Sequence, residues 1–247
     1  LNTLTLTEAK DSSGIENIIT THDELYKANL FSDHVTDRNL KEVLGYSEAL
    51  QMGYRLVKET GILTTNNLIA IQRTITGVNA GIRRQAGTVL KNDRTDEIVY
   101  EPPQEYDTIV RLLSNLERYI NEPDDDLDPL VRMAIIHYQF ESIHPFLDGN
   151  GRTGRILNIL YLVLTGLLDL PVLYLSRYII NNKSRYYELL KLVNREDRWE
   201  EWIDYMLEGV IETSKETIDI INKILELMNT FKHKLRNELQ LSYYSKD

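Results

Sequence analysis

The chain contains no cysteine, which excludes disulfides and thiolate-ligated metal sites and leaves the redox compartment unreadable. Basic residues are in deficit, 28 Lys and Arg against 38 Asp and Glu, giving a formal charge of −10. That balance argues against a nucleic-acid-binding surface on this chain. No segment reaches the ~20 apolar residues that span a bilayer. The most apolar stretch, residues 156–170, contains Asn158 and Gly166 and reads as a buried helix. The first residues, LNTLTLTEAKDSSG, have neither a basic start nor an apolar core, so they do not form a signal peptide, and the cytoplasm is the expected location. They also lack an initiating Met, and the chain stops abruptly at YYSKD. A piece of a longer protein is expected, followed by a further domain. The 247 residues, 42% hydrophobic and 27% charged, have the composition of a globular protein with a sizeable core.

Helical periodicity dominates the rest. Leu40, Val43, Leu44, Ala49 and Leu50 recur at helical spacing within residues 36–60, and Ile109, Leu112, Leu113, Leu116 and Ile120 do so within 104–121. Thr64 to Asn67 offers caps for a helix that Gly77 can end. The acidic run EPDDDLD, 122–128, reads as a solvated loop feeding helix caps rather than a metal site. Residues 198–239 lack proline and read as nearly continuous helix. The one β signal lies at 87–100, where TVL and IVY flank a polar turn and Pro102-Pro103 stops the second run. A lone hairpin is marginal in water, so this one must lean on the helices. The expected fold is mostly α with a small β-hairpin.

One segment departs from this pattern. HPFLDGNGRTGR, residues 144–155, packs His144, Asp148, Asn150, three glycines, Arg152 and Arg155 into twelve positions. Asp148-Gly149-Asn150-Gly151 is a fragment of a calcium loop, but an EF-hand requires further oxygen ligands and a closing Glu, and arginines follow instead. A plain glycine turn accounts for Gly149, Gly151 and Gly154 but not for two arginines beside an apolar helix. A satisfied core histidine would account for His144 alone. A phosphate site accounts for all of them. Glycines let backbone N–H groups approach an anion, and a helix starting near Arg152 adds its positive end. Arg152 and Arg155, three residues apart, share a helical face and can clamp two outer phosphates. Asp148 offers a hard oxygen to Mg²⁺, which binds through one or two carboxylates plus substrate phosphates. His144, with an unperturbed pKa near ~6.5, suits a general base. The constellation predicts phosphoryl or nucleotidyl transfer.

HPFLDGNGRTGR also resembles the Fic-family signature HPFx[D/E]GNGRxxR at every specified position, with Leu147, Thr153 and Gly154 filling its three free ones. The resemblance covers most of the chain. It implies a compact helical core carrying the hairpin as a flap over the active site, with residues 1–35 as an N-terminal segment bearing an inhibitory helix, 36–195 as the catalytic core and 196–247 as C-terminal helices. It implies AMPylation, the transfer of AMP from ATP to a Ser, Thr or Tyr hydroxyl of a target protein or of the enzyme itself. His144 would deprotonate the hydroxyl, Asp148 hold Mg²⁺, donors around Asn150 and Gly151 face the α-phosphate, and Arg152 and Arg155 hold the outer phosphates.

Two further segments carry the resemblance. In SRYYELLKLVN, 184–194, Tyr187, Leu190 and Asn194 share a helical face. Spacing alone favours core packing for Tyr187 and Leu190, whereas the likeness to a YYxxLxxxN-type adenine pocket assigns Tyr186, Tyr187 and Asn194 to the nucleoside. In TEAKDSSGIENI, 7–18, Ser12, Glu16 and Asn17 are similar to the inhibitory motif [S/T]xxxE[G/N]. By resemblance Glu16 would pair with Arg155 and exclude the γ-phosphate. Read without the family, the same residues make an ordinary helix start, with Ser12 or Ser13 at the N-cap and Glu16 in the first turn. Thr20 to Glu24 meets the first half of the motif, and Leu25 then breaks it. A self-inhibited adenylyltransferase, with homodimers common among such proteins, is the expected function. The alternatives are a nucleotide-sensing regulator joined to a winged-helix domain outside this sequence, and the reverse reaction, removal of AMP.

Overall fold

A computed structural model describes residues 2–30, 36–91, 98–122 and 126–237. Ten helices and two short strands follow in the order α1 (Asn2–Ile15), α2 (His22–Leu30), α3 (Arg38–Thr60), α4 (Thr65–Thr76), β1 (Leu90–Lys91), β2 (Ile98–Tyr100), α5 (Tyr106–Asn121), α6 (Pro129–Ile143), α7 (Asn150–Leu164), α8 (Leu175–Asn181), α9 (Lys183–Glu196) and α10 (Trp199–Asn237). The centre is α7. Every residue from Arg152 to Val163 is buried, including Asn158 at its middle. A helix apolar all round must be covered on every side, and α3, α4, α6 and α1 supply the cover.

Local chemistry sets the boundaries around this axis. Asp37 caps α3 by accepting from the Leu40 amide at 2.8 Å, and Gly61 closes it in the left-handed conformation. Thr64 and Asn67 form a reciprocal capping box on α4, which ends at left-handed Gly77. Asp128 caps α6 with Pro129 behind it. Residues 123–125 of the acidic loop lie outside the described residues. Helix α10 packs on α6, α8 and α9, and the Trp202 indole donates to the Ala134 carbonyl at 2.9 Å. Residues 238 and 239, expected as helix, lie outside the described residues.

Strands β1 and β2 pair antiparallel, with Leu90 facing Tyr100 and Lys91 facing Ile98, and residues 92–97 between them lie outside the described residues. The Tyr100 hydroxyl donates to the Ser142 carbonyl at 2.9 Å, and the Gln104 side chain donates to the Thr88 carbonyl at 2.9 Å while accepting from the Gly87 amide at 2.7 Å. Tyr100 thereby fixes β2 to the end of α6, and Gln104 holds the segment leading into β1 beside the one that leaves β2.

The N-terminus corrects one expectation. Ser12 and Ser13 do not start a helix: they lie in the last turn of α1, which packs on α3 and α8, and Glu16 follows its end. The buried residues of α1 are largely polar, Thr5, Glu8, Asp11, Ser12 and Ser13 beside Leu6 and Ala9. Hydrophobic periodicity therefore passes over this helix. Glu8 takes hydrogen bonds from Tyr46 at 3.1 Å and from Ser176. Among the described residues, no helix is long and apolar enough to cross a membrane.

Candidate active site

Pro145 disfavours right-handed helix at the residue before it, so α6 stops at Ile143 and His144 turns left-handed, with φ 47° and ψ 59°. Phe146 drops into the core against Phe140. The Asn150 side chain then closes the loop in both directions, accepting from the Phe146 amide and donating to its carbonyl, each at 2.8 Å. Gln72 of α4 holds the Asp148 carbonyl at 3.0 Å, and Gly149 passes through φ 83°, a glycine conformation, with Thr76 packed against it. Helix α7 follows at once. Its first intrahelical bond is Thr153 N–H to the Gly149 carbonyl, which leaves the amides of Asn150, Gly151 and Arg152 without a helical acceptor and with the positive helix end behind them.

The two arginines do different work. The buried Arg152 guanidinium donates to Glu42 of α3 at 2.7 Å and to Asp148 Oδ1 at 3.1 Å. The Arg155 guanidinium is 1% exposed and is met by the end of α1: Nε donates to Ser12 Oγ at 2.7 Å, and Nη2 to the Ser12 carbonyl at 2.9 Å and Glu16 Oε1 at 2.8 Å.

Backbone geometry at the end of α1 aims Glu16. The Asn17 amide bonds to the Gly14 carbonyl at 3.1 Å and the Ile18 amide to the Ser13 carbonyl at 3.0 Å, with Asn17 at φ 62°. This is a Schellman ending, which requires a left-handed residue at the position Asn17 fills. Ser12 and Glu16, four apart, project to one side. Lys183 adds a donor to the Ile15 carbonyl at 2.5 Å, so two cations face the negative end of the helix. Burial pushes the Glu16 carboxyl up, but the charge and hydrogen bond of Arg155, aided by Arg152 and Lys183, outweigh it and hold it below the ordinary carboxylate range.

Glu16, His144, Gly151 and Arg155 open on one cavity of about 1100 Å³, which α9 lines from the far side with Tyr187, Leu190 and Asn194. Burial, then the nearby Arg83 charge, push the His144 imidazole down to about 4, against the opposing pull of the Glu141 backbone and of Glu16. His144 is therefore a neutral imidazole at pH 7, and its Nδ1 is buried without a hydrogen bond of ordinary geometry. Asp148 is different: its side chain is 62% exposed, and one oxygen, Oδ1, takes both the Arg152 contact and the Gly149 amide at 2.6 Å. No group of three potential metal ligands occurs among the described residues. A lone exposed carboxylate fits an ion such as Mg²⁺, completed by substrate oxygens and water.

Two sequence profiles of one family match this chain, the Fic/DOC family over residues 62–162 and its N-terminal region over residues 1–55. The chain belongs to the Fic/DOC family. It is 26% identical over 180 residues to the protein adenylyltransferase Fic of Drosophila ananassae, covering 72% of this chain and 33% of that protein. It is 29% identical over 161 residues to that of Nematostella vectensis, covering 63% and 35%. The chain thus spans about a third of the length of these curated relatives. Among solved structures it resembles a Fic family protein from Desulfovibrio desulfuricans, with TM-score 0.72 and 22% identity over 89% of this chain and 66% of that one. It also resembles Fic-1 from C. elegans, with TM-score 0.70 and 23% identity over 88% and 63%.

Within this Fic/DOC site several expectations change. Arg152 is paired with Glu42 and Asp148 and does not line the cavity, whereas Arg155 does. The Asn150 side chain is consumed by the loop, leaving backbone amides as the anion donors. Thr153 is fully buried, and a side chain at Gly154 would collide with Glu141. Tyr187 is not core: it is 38% exposed at the cavity mouth. Tyr186 is 2% exposed and donates to or accepts from His137 Nε2 at 2.8 Å within a cluster that includes Trp202 and Tyr205. The satisfied core histidine of this chain is therefore His137, which burial and then Arg155 push down to about 3. Sequence reasoning missed Glu42, Arg83 and Lys183, each of which reaches the site across a long stretch of sequence, and also Glu141. Glu141 had one available signal, its position one helical turn before His144. Its carboxyl is pushed up to about 7 by burial, against the pull of Arg155, and its Oε1 has no partner.

Proposed function

We propose that this chain is a protein adenylyltransferase that transfers AMP from ATP to a Ser, Thr or Tyr hydroxyl and is held idle by its own Glu16. The observation that carries the reading is the convergence of His144, the α7 amide end and an Arg155 occupied by Glu16 on one cavity. His144, kept neutral, takes the proton of the incoming hydroxyl. The hydroxyl oxygen forms a bond to the α-phosphorus while the bond to the bridging oxygen breaks and pyrophosphate leaves. The free amides at the start of α7 receive the charge that develops on the α-phosphate. Arg155, once free of Glu16, binds the γ-phosphate with its fork. Arg152 fixes Asp148, which with the nucleotide would hold Mg²⁺. Bound there, the ion neutralises charge on the phosphates. Tyr187 and Asn194 line the end of the cavity that suits the adenine, with Tyr186 behind them.

In this reading the β1–β2 pair is a flap that aligns the target segment by main-chain pairing, residues 1–35 are regulatory and 36–195 catalytic. The enzyme acts in the cytoplasm and forms a homodimer. The names of the curated relatives support the reaction type. The test is transfer of label from [α-³²P]ATP to protein by the Glu16→Gly variant. Label is expected with Mg²⁺ and absent after His144→Ala; label from [γ-³²P]ATP instead would indicate phosphoryl transfer and remove the proposal.

A further inference from the structure

Arg83 lies in the segment between α4 and β1, outside the HPFLDGNGRTGR motif, and is 2% exposed. Among the described residues it forms no ion pair, and its Nη1 is buried without a partner. An uncompensated buried guanidinium is costly, so its retention needs a physical account. Its contacts supply one. Nε donates to the His144 carbonyl at 2.8 Å, and Nη2 donates to the Pro103 carbonyl and, at 3.5 Å, to the Ile143 carbonyl. Its own amide donates to the Pro145 carbonyl at 2.9 Å. Ile143 ends α6 and His144 is its C-cap, so their carbonyls lack helical donors, and His144 turns left-handed there. Pro103 leads from β2 into α5.

We propose that Arg83 is a positioning residue for His144: its fork fixes the left-handed backbone of the base and ties it to the trailing end of the β1–β2 pair, while its charge stays against the imidazole. The inference rests on the reading of His144 as the base. Lysine would keep the charge but lose the planar fork that serves three carbonyls. Glutamine would lose both. The charges that act on His144 are Arg83 and, with opposite sign, Glu16. Glu141, one turn earlier on α6, lines the same cavity as His144, as do Arg155, Lys183, Glu188, Lys191 and Arg195 and the phenols of Tyr100 and Tyr138. Of these, Arg83 is the largest charged contributor to the low proton affinity of His144, second only to burial.

The test separates charge from geometry and does not depend on activity alone. The five histidines are labelled with ¹³C, His144 is assigned by the signal lost in His144→Ala, and its titration is followed by NMR. In Arg83→Gln the midpoint rises from about 4 but stays under the unperturbed ~6.5, because burial remains. In Arg83→Lys it stays near the parent value. In a Glu16→Gly background both variants lose about tenfold or more in turnover through misplacement of the base, with KM for ATP within about twofold. Thermal melts verify folding. A His144 midpoint unmoved in folded Arg83→Gln, or parent-level turnover in Arg83→Lys, overturns the proposal. Should Arg83→Gln not fold, turnover of Arg83→Lys decides. Should the Glu16→Gly parent transfer no AMP, the functional reading fails and the NMR titration still decides the role of Arg83.

Discussion

Replacing Glu16 by glycine removes one partner from the ion pair that occupies Arg155. The pair lies between two regimes. Exposed pairs contribute ~0.2–1 kcal/mol, whereas breaking a fully buried pair by removing one partner costs ~3–5 kcal/mol. Arg155 is 1% exposed at its side chain and Glu16 34%, and the Ser12 contacts to Arg155 at 2.7 and 2.9 Å persist without Glu16. About 2 kcal/mol is the resulting estimate for what ATP must overcome to take Arg155 from Glu16, equivalent to ~30-fold in apparent affinity. Calorimetric titration of ATP·Mg²⁺ into His144→Ala and into His144→Ala/Glu16→Gly reads this difference without turnover. Tighter binding by roughly 10- to 100-fold in the double variant is expected. Glu16→Gln keeps the size of the side chain and removes its charge, and should recover most of the gain. Equal ATP affinity in all three proteins would refute the competition.

The Schellman ending gives an independent handle on the same contact. Asn17→Gly keeps the left-handed turn, because glycine accepts φ > 0 freely, whereas Asn17→Val places a β-branched residue in that region at a cost of ~1–2 kcal/mol and should raise automodification more than Asn17→Gly does; equal rates for the two would contradict the aiming role of that turn. For Glu141 the linkage has a definite sign. Its folded pKa of about 7 exceeds the ordinary carboxyl value of 4.5, so its contribution to stability is full below ~4.5 and is lost as pH rises through ~7. Glu141→Gln should therefore melt higher than wild type at pH 8, by on the order of 1–3 kcal/mol, with the gap closing toward pH 4.5; a gap that widens on acidification reverses the assignment. The low His144 proton affinity, with its pKa pushed down to about 4, predicts that AMP transfer by Glu16→Gly holds its rate down to about pH 5 rather than falling below ~6.5, which a pH–rate profile checks.

Much of this molecule is written locally. The caps of α3, α4 and α6 can be read from Asp37, Thr64, Asn67, Gly77 and Asp128 because each acts on a backbone group within four residues. The same holds for the turn from His144 to Asn150. Two local signals were open to misreading. Thr21 and Glu24 form a capping box at the start of α2, with the Thr21 amide donating to Glu24 at 2.9 Å and the Glu24 amide to Thr21 Oγ1 at 3.3 Å; this is what lies beneath the partial motif at Thr20 to Glu24. Helix α1 gives hydrophobic periodicity little to mark, because its buried face carries Thr5, Glu8 and Ser12, whose partners Ser47, Tyr46, Ser176 and Arg155 lie far along the chain. Within the candidate site, one segment supplies His144, Gly151 and Arg155 to the cavity, but which of its arginines reaches that cavity could not be read from the segment. Whether Arg152 or Arg155 faces the cavity depends on Glu42, 110 positions away, and Glu16, 139 positions away. No spacing rule encodes such pairings.

The most direct measurement is intact-protein and peptide mass spectrometry of the Glu16→Gly protein after incubation with ATP and Mg²⁺ in a cell lysate. A mass gain of one AMP on hydroxyl side chains, lost in Glu16→Gly/His144→Ala and weak in the wild type, is the predicted result. A gain that persists without His144, or equal labelling by wild type and Glu16→Gly, contradicts it.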